Sequence, residues 1–193
     1  MRWLGSFLRY AAGLRLAPYV PVPHTVAARM LTLAKLRPGE AVADLGCGDG
    51  RLLRLAVSEQ FGAASAVGYE LDESLVQQAR ATSAGDPRVE VKHEDALHAE
   101  LAGCDVVTLY LTERGNASVL PLLRDTLKPN ARIVSYVWGM GPELPATSTA
   151  TAVGPGVVVQ VPNILCWGRD DLLHGAARAD VASAGCGTSG TDG

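Results

Sequence analysis

The run Val42-Ala43-Asp44-Leu45-Gly46-Cys47-Gly48-Asp49-Gly50-Arg51 constrains this chain more than any other feature. Ala41–Leu45 reads as a short buried strand, and Arg51–Gln60, with Leu52, Leu55 and Ala56 on one face, reads as a helix. The glycines at 46, 48 and 50 then fall in the turn between them, where they clear side chains from backbone that a ligand must approach. The helix start offers unpaired N–H groups suited to a carboxylate or phosphate. The spacing is GxGxG, whereas dinucleotide sites carry GxGxxG. Asp44 also stands two residues before the first glycine. A carboxylate there repels a phosphate and attracts a ligand bearing an ammonium and a sulfonium. S-adenosylmethionine is such a ligand. A purely structural strand-to-helix turn is the competing reading.

Strand and helix alternate along the rest of the chain. Thr25 caps a helix to Leu36. Ser65–Glu70 is a second strand, and Asp72 caps a helix to Thr82. Val89–Lys92 and Asp105–Leu111 are further strands. Ala117–Leu127 is a helix with Pro121 in its first turn, and Ala131–Trp138 is a fifth strand. Repeated β-α units imply an α/β fold, a Rossmann-like doubly wound, mostly parallel sheet. Val153–Val161 and Ile164–Trp167, joined by a turn at Pro162-Asn163, predict a C-terminal antiparallel hairpin. Residues 1–17 form a basic amphipathic segment, 18–171 a single domain, and 172–193, rich in Ala, Gly, Ser and Thr, a disordered tail.

Two more acidic positions fall at strand ends, where open α/β sheets bind ligands. Glu70, with Leu71 after it, is twenty residues beyond Gly50 and can accept both hydroxyls of a ribose. In Glu94-Asp95-Ala96, Asp95 can accept from an exocyclic adenine amine. The bland alternatives are a solvated strand end and a loop acid.

At 193 residues with 48% apolar content, the chain builds a core without disulfides or metal. Cys47, Cys104, Cys166 and Cys186 show no CxxC spacing, and His24, His93, His98 and His174 no ligand spacing, so no metal is expected. A formal net charge of -3 offers no basic face for nucleic acid. No acidic residue precedes Glu40, and Trp3, Leu4, Phe7, Leu8, Ala11 and Leu14 recur at helical spacing among arginines. A mitochondrial transit peptide, a membrane-surface helix and an ordinary helix packed on a cytoplasmic domain all fit that pattern.

The Asp44–Gly50 run with Glu70 and Glu94-Asp95 resembles class I, seven-β-strand S-adenosylmethionine-dependent methyltransferases. Pro18-Tyr19-Val20-Pro21, Gly68-Tyr69-Glu70-Leu71, Val106–Leu111 and Arg132–Tyr136 follow in order. Together they resemble the archaeal and mitochondrial protein-lysine methyltransferases, whose members act on the adenine nucleotide translocase and the ATP synthase c-subunit. The resemblance covers residues 18–168. It implies methyl transfer from S-adenosylmethionine to a protein lysine, with Asp44, Gly46, Cys47, Gly48, Asp49, Gly50, Glu70, Leu71, Glu94, Asp95 and Ala96 at the cofactor. The chain departs from the family in its tail, in a short arginine-rich N-terminus, and in Tyr110 where relatives have Phe.

An in-line transfer to a neutral amine needs positioning more than a dedicated base. Tyr110, Tyr19, Ser135 and Trp138 are candidates to line the acceptor channel, with core packing as the alternative for each. Tyr19 would fold across as a lid. No Asn-Pro-Pro-Tyr follows the fourth strand, which disfavours an adenine or glutamine amide acceptor. Small-molecule methylation and non-catalytic cofactor binding are the competing functions.

Overall fold

A central run of parallel strands organises the molecule, and its innermost strands carry the apolar runs seen in the sequence. The computed structural model describes residues 10, 11, 13, 15–141, 144–150 and 164–173. The strands are β1 (Ala41–Leu45), β2 (Ser65–Glu70), β3 (Val89–His93), β4 (Val106–Leu109), β5 (Arg132–Tyr136), β6 (Ser148–Ala150) and β7 (Ile164–Gly168). They form one seven-stranded sheet in the order β3-β2-β1-β4-β5-β7-β6. β1 to β5 pair in parallel, while β7 runs antiparallel to β5 and to β6. β4 is buried at every position, as a central parallel strand must be.

The helices are α1 (His24–Leu33), α2 (Arg51–Val57), α3 (Glu73–Thr82) and α4 (Glu113–Thr126). One face of the sheet packs Val42, Val106 and Val134 against Val26 and Met30 of α1, Leu52 and Leu53 of α2, and Val76 and Ala79 of α3. The other packs Ala43, Leu45, Val107 and Ile133 against Val119 and Leu123 of α4 and the short 3-10 turn Ala96–His98. This is the expected Rossmann-like doubly wound arrangement, with helices on both faces.

Several elements differ from expectation. α1 starts at His24 after Pro23, with no side-chain cap from Thr25. α4 begins four residues early, because the Thr112 hydroxyl accepts from the Gly115 N–H and caps it. Pro121 therefore lies inside α4, on its exposed face. The antiparallel pair at the C-terminal edge is formed with Ser148–Ala150 as the partner of β7. The expected strand Val153–Val161 and the turn at Pro162-Asn163 lie outside the described residues. Leu172 is buried beside Trp167 and Leu144 in the second core, so packing runs past residue 171. Residues 174–193 lie outside the described residues, as do residues 1–9, with Trp3, Leu4, Phe7 and Leu8 among them. No helix among the described residues is long and apolar enough to cross a membrane.

Candidate active site

The carboxyl ends of β1, β2 and β4 open into a cavity of about 870 Å³, its mouth included. Residues 15–22 run across it as a strap. Asp44, Gly46, Cys47, Gly48 and Asp49 line it from the glycine turn, Glu70 and Leu71 from the end of β2, Glu94, Asp95 and Ala96 from the end of β3. Tyr19 lines it from the strap and Tyr110 from the end of β4. These are the expected residues, drawn to one place by the parallel register of the strands.

Three of the expected residues do not line the cavity. Gly50, with φ 73°, faces α3: a Cβ there would meet Ala79 Cβ at 3.1 Å, so it serves the turn and its packing. Ser135 is sealed behind the sheet, where its hydroxyl donates to the Trp138 carbonyl at 2.7 Å and accepts from Asn116 Nδ2 at 3.1 Å. Trp138 stands 45% exposed on the turn after β5. That turn is strained: Val137, β-branched, holds φ 73°. Asn116 Nδ2, donating to the carbonyls of Trp138 and Gly139 at 2.8 and 3.0 Å, clamps it.

Within the cavity the carboxylates are held unequally. Asp44 is buried, and its Oδ1 accepts from Thr108 at 2.7 Å. Burial pushes its carboxyl up, the Thr108 hydrogen bond opposes this, and the charges of Glu70 and Asp49 add to the rise, leaving it at about 7. Glu70 Oε2 accepts from the Gly48 N–H at 3.1 Å and Oε1 from the Asp72 N–H at 2.8 Å, which ties the glycine turn to the end of β2. Each oxygen keeps a further lone pair. Asp95 Oδ1 accepts from the Leu97 N–H at 3.0 Å and caps the 3-10 turn. Asp49 grips the Arg51 guanidinium with both oxygens and also takes the Arg51 backbone N–H at 3.2 Å, so part of the helix start is already occupied. Burial raises the Asp49 carboxyl, but Arg51 outweighs it and holds it below the ordinary range.

The strap is fastened at several points that composition alone did not reveal. Arg15, only 7% exposed, pairs with Asp72 at 2.7 Å. Thr112 donates to the Leu16 carbonyl at 2.8 Å, and Arg51 to the Val22 carbonyl at 3.1 Å. Tyr19 lies on the glycine turn. Burial raises its phenol, with the Asp49 charge adding to the rise and Arg51 opposing it. Tyr110 packs against Tyr136 with ring centroids 4.8 Å apart. Thr108 was legible only as the lone polar residue of β4. Arg15 carried no distinguishing signal among the N-terminal arginines.

A buried carboxyl whose side-chain partner is a neutral hydroxyl, with two further carboxylates beside it, suits a cationic ligand. The residues present therefore fit S-adenosylmethionine, whose ammonium and sulfonium are both cationic.

The sequence model of the ANTKMT methyltransferase domain matches residues 44–147. A protein-lysine N-methyltransferase of Saccharolobus islandicus is 34% identical over 122 residues, 62% of this chain and 75% of that protein. A lysine N-methyltransferase of the ATP synthase c-subunit, from Xenopus laevis, is 43% identical over 63 residues, 33% of this chain and only 26% of that protein. Among solved structures, an RNA methyltransferase of Salinibacter ruber in complex with S-adenosyl-L-homocysteine superposes with a TM-score of 0.66 at 33% identity, covering 77% of this chain and 93% of that one. The chain thus belongs to the ANTKMT methyltransferase domain family and is an S-adenosylmethionine-dependent methyltransferase.

Proposed function

We propose that the chain transfers methyl groups to the side-chain amine of a protein lysine. The observation that carries this reading is the kinship with the Saccharolobus protein-lysine N-methyltransferase, which extends over most of that relative. The cavity supports it. Of the arginines that line it, Arg15 is paired with Asp72 and Arg51 with Asp49, so neither offers a free cation to a phosphate backbone.

The cofactor supplies an electrophilic methyl group on a sulfonium. In this reading, Asp44 takes its ammonium, Glu70 its ribose hydroxyls, and Asp95 its adenine amine. Leu71, Ala96 and the backbone of Gly46 to Asp49 form the surrounding wall. Tyr19 and Tyr110 present aromatic faces to the lysine stem and its cation. A free lysine has a pKa of about 10.4, and transfer to low-dielectric walls disfavours its ammonium form. The lysine thus gives its proton to solvent as it enters, before the site closes, and the chain contributes orientation and the exclusion of water around the neutral amine. Tyr19 is the lid, held by Asp49 and Arg51.

A second reading, methylation of RNA, is favoured by the extensive match to the Salinibacter structure. One experiment separates the two. The purified protein is incubated with methyl-labelled S-adenosylmethionine and fractionated extract, membranes included. Label in a protein, mapped to lysine by mass spectrometry, is the expected result. Label that ribonuclease removes would replace it with the RNA reading, and label confined to small molecules would overturn both.

A further inference from the structure

Thr108 is the one polar side chain in β4, a strand buried along its whole length. β4 lies beside β1 in parallel register, with Thr108 directly across from Asp44. Its hydroxyl oxygen stands 2.7 Å from Asp44 Oδ1 and 3.3 Å from the Ala43 carbonyl oxygen. A hydroxyl has one hydrogen and two lone pairs, so it serves one acceptor fully at a time. With Asp44 ionised, the hydrogen goes to Oδ1, the shorter and charge-assisted bond. With Asp44 protonated, Oδ1–H donates to Thr108 Oγ1, and the hydroxyl hydrogen turns to the Ala43 carbonyl. Both protonation states are hydrogen-bonded in a place where an unpaired polar group is costly.

We propose that Thr108 is a positioning residue: burial keeps a proton on Asp44 in the cofactor-free protein, and the Thr108 hydroxyl, by bonding the carboxylate, lets that proton pass to solvent near neutral pH when the cofactor's ammonium arrives. The inference rests on the reading that Asp44 takes that ammonium. The titratable groups facing Asp44 are Glu70 at the end of β2, and Cys47 and Asp49 on the glycine turn. Asp49 is already answered by Arg51. Among the described residues no basic side chain is paired with Asp44. An ionised Asp44 therefore waits for a counter-ion from outside, and burial shifts it toward the protonated form. On capture, the Asp44 O–H bond breaks, the proton passes to buffer, and the ammonium keeps its own hydrogens and becomes the counter-ion.

The test is titration calorimetry with S-adenosylhomocysteine, which carries the same ammonium, across pH in pairs of buffers with different ionisation heats. A carbon-13 titration of the Asp44 carboxyl in the cofactor-free protein accompanies it. Wild type should release a proton on binding below about pH 7 and bind up to about tenfold more weakly per unit of acidification. Thr108→Val keeps the side-chain shape and loses the donor. It should move the midpoint up by about one unit in both measurements, weakening binding about tenfold near pH 6.5 and little near pH 8. Thr108→Ser should restore the wild-type midpoint, and Thr108→Ala gives a second variant without the donor. Wild-type midpoints in Thr108→Val and Thr108→Ala would overturn the proposal. If Asp44→Asn binds with wild-type affinity and pH dependence, the assignment of Asp44 to the ammonium fails instead. If Asp44→Asn abolishes the pH dependence while the Thr108 variants leave the midpoint in place, only the role of Thr108 fails.

Discussion

The ring of Tyr19 lies against Gly48 so closely that a Cβ on the glycine would stand 2.6 Å from the ring's Cε2. Gly48 also holds φ 56°, a left-handed conformation that costs other residues about 1 kcal/mol or more. Gly48→Ala should therefore weaken binding of S-adenosylhomocysteine at least about tenfold, by lifting the strap as well as straining the turn. The Tyr19→Ala background removes the atom that is met. There, calorimetry should show a smaller loss from the same alanine; an equal loss in both backgrounds would mean that the ring is not the obstacle.

Arg15→Ala should loosen the strap without touching the cofactor wall of β1 or β2. Against the upward pull of burial, hydrogen bonds from Ser74 and Arg15 and the Arg15 charge hold Asp72 down at about 2. Since Asp72 also caps α3, the arginine is the cleaner partner to remove. The expected stability loss is on the order of 1 kcal/mol for a partly buried pair. Stopped-flow dissociation of S-adenosylhomocysteine should become several-fold faster. An unchanged rate would show that the strap does not gate exchange.

Glu70→Gln tests the proposed ribose contact. The wild-type carboxylate accepts from Gly48 and Asp72 with separate oxygens, whereas an amide offers only one acceptor oxygen. Cofactor affinity should fall by roughly 10- to 100-fold, on the scale of a hydrogen bond to a charged group. The thermal midpoint should drop by only a few degrees, because the β2 core is untouched. Full affinity in both Glu70→Gln and Glu70→Ala would remove Glu70 from that role.

The pH dependence of stability should bear the mark of Asp44. Its carboxyl rises from an ordinary 3.8 to about 7 on folding. The folded protein therefore binds more protons than the unfolded chain between those values. This contribution to stability is fully present below about pH 4 and is lost as pH rises through 7. Asp44→Asn should make cofactor-free protein more stable than wild type at about pH 8, by roughly 2 to 4 kcal/mol, and indifferent near pH 4. Urea melts at the two values check this; the same offset at both would exclude titration as the cause.

Val137→Gly should stabilise the protein or leave it unchanged. A β-branched residue at φ 73° carries strain of about 1 to 3 kcal/mol, which glycine escapes, offset in part by the entropy of the unfolded chain. Thermal melts of this variant alongside Asn116→Ala, which removes the clamp and should destabilise, would place the strain in that turn. A clear loss of stability in Val137→Gly would argue that the valine packs against something it needs.

Sequence patterns located β1, β2 and the glycine turn to the residue, because their apolar runs end abruptly at Asp44-Leu45-Gly46 and Glu70-Leu71-Asp72. The start of α4 was not legible there: Gly115 and Asn116 look like loop, and only tertiary packing keeps them helical, with both buried. Ser148–Ala150 as a partner of β7 was not legible either: three short residues, two of them hydroxylic, carry little strand signal of their own, and pairing with β7 is what makes them a strand. Within the site, acids at strand ends were readable, since topology alone brings them together. The places of Ser135 and Trp138 were not: Ser135, inside β5, is taken by Asn116 nineteen residues upstream, and the turn that carries Trp138 can aim either way until the same Asn116 clamps it.

The strap touches the ends of three strands at once, through Asp72 after β2, Arg51 after β1 and Thr112 after β4. A spent cofactor beneath it would leave only when those fastenings and the Tyr19 stack come apart together. Turnover would then divide into a chemical interval and an opening interval. The second is set by residues that never meet the methyl group, so substitutions in the strap could retune the pace of the cycle while leaving its chemistry alone.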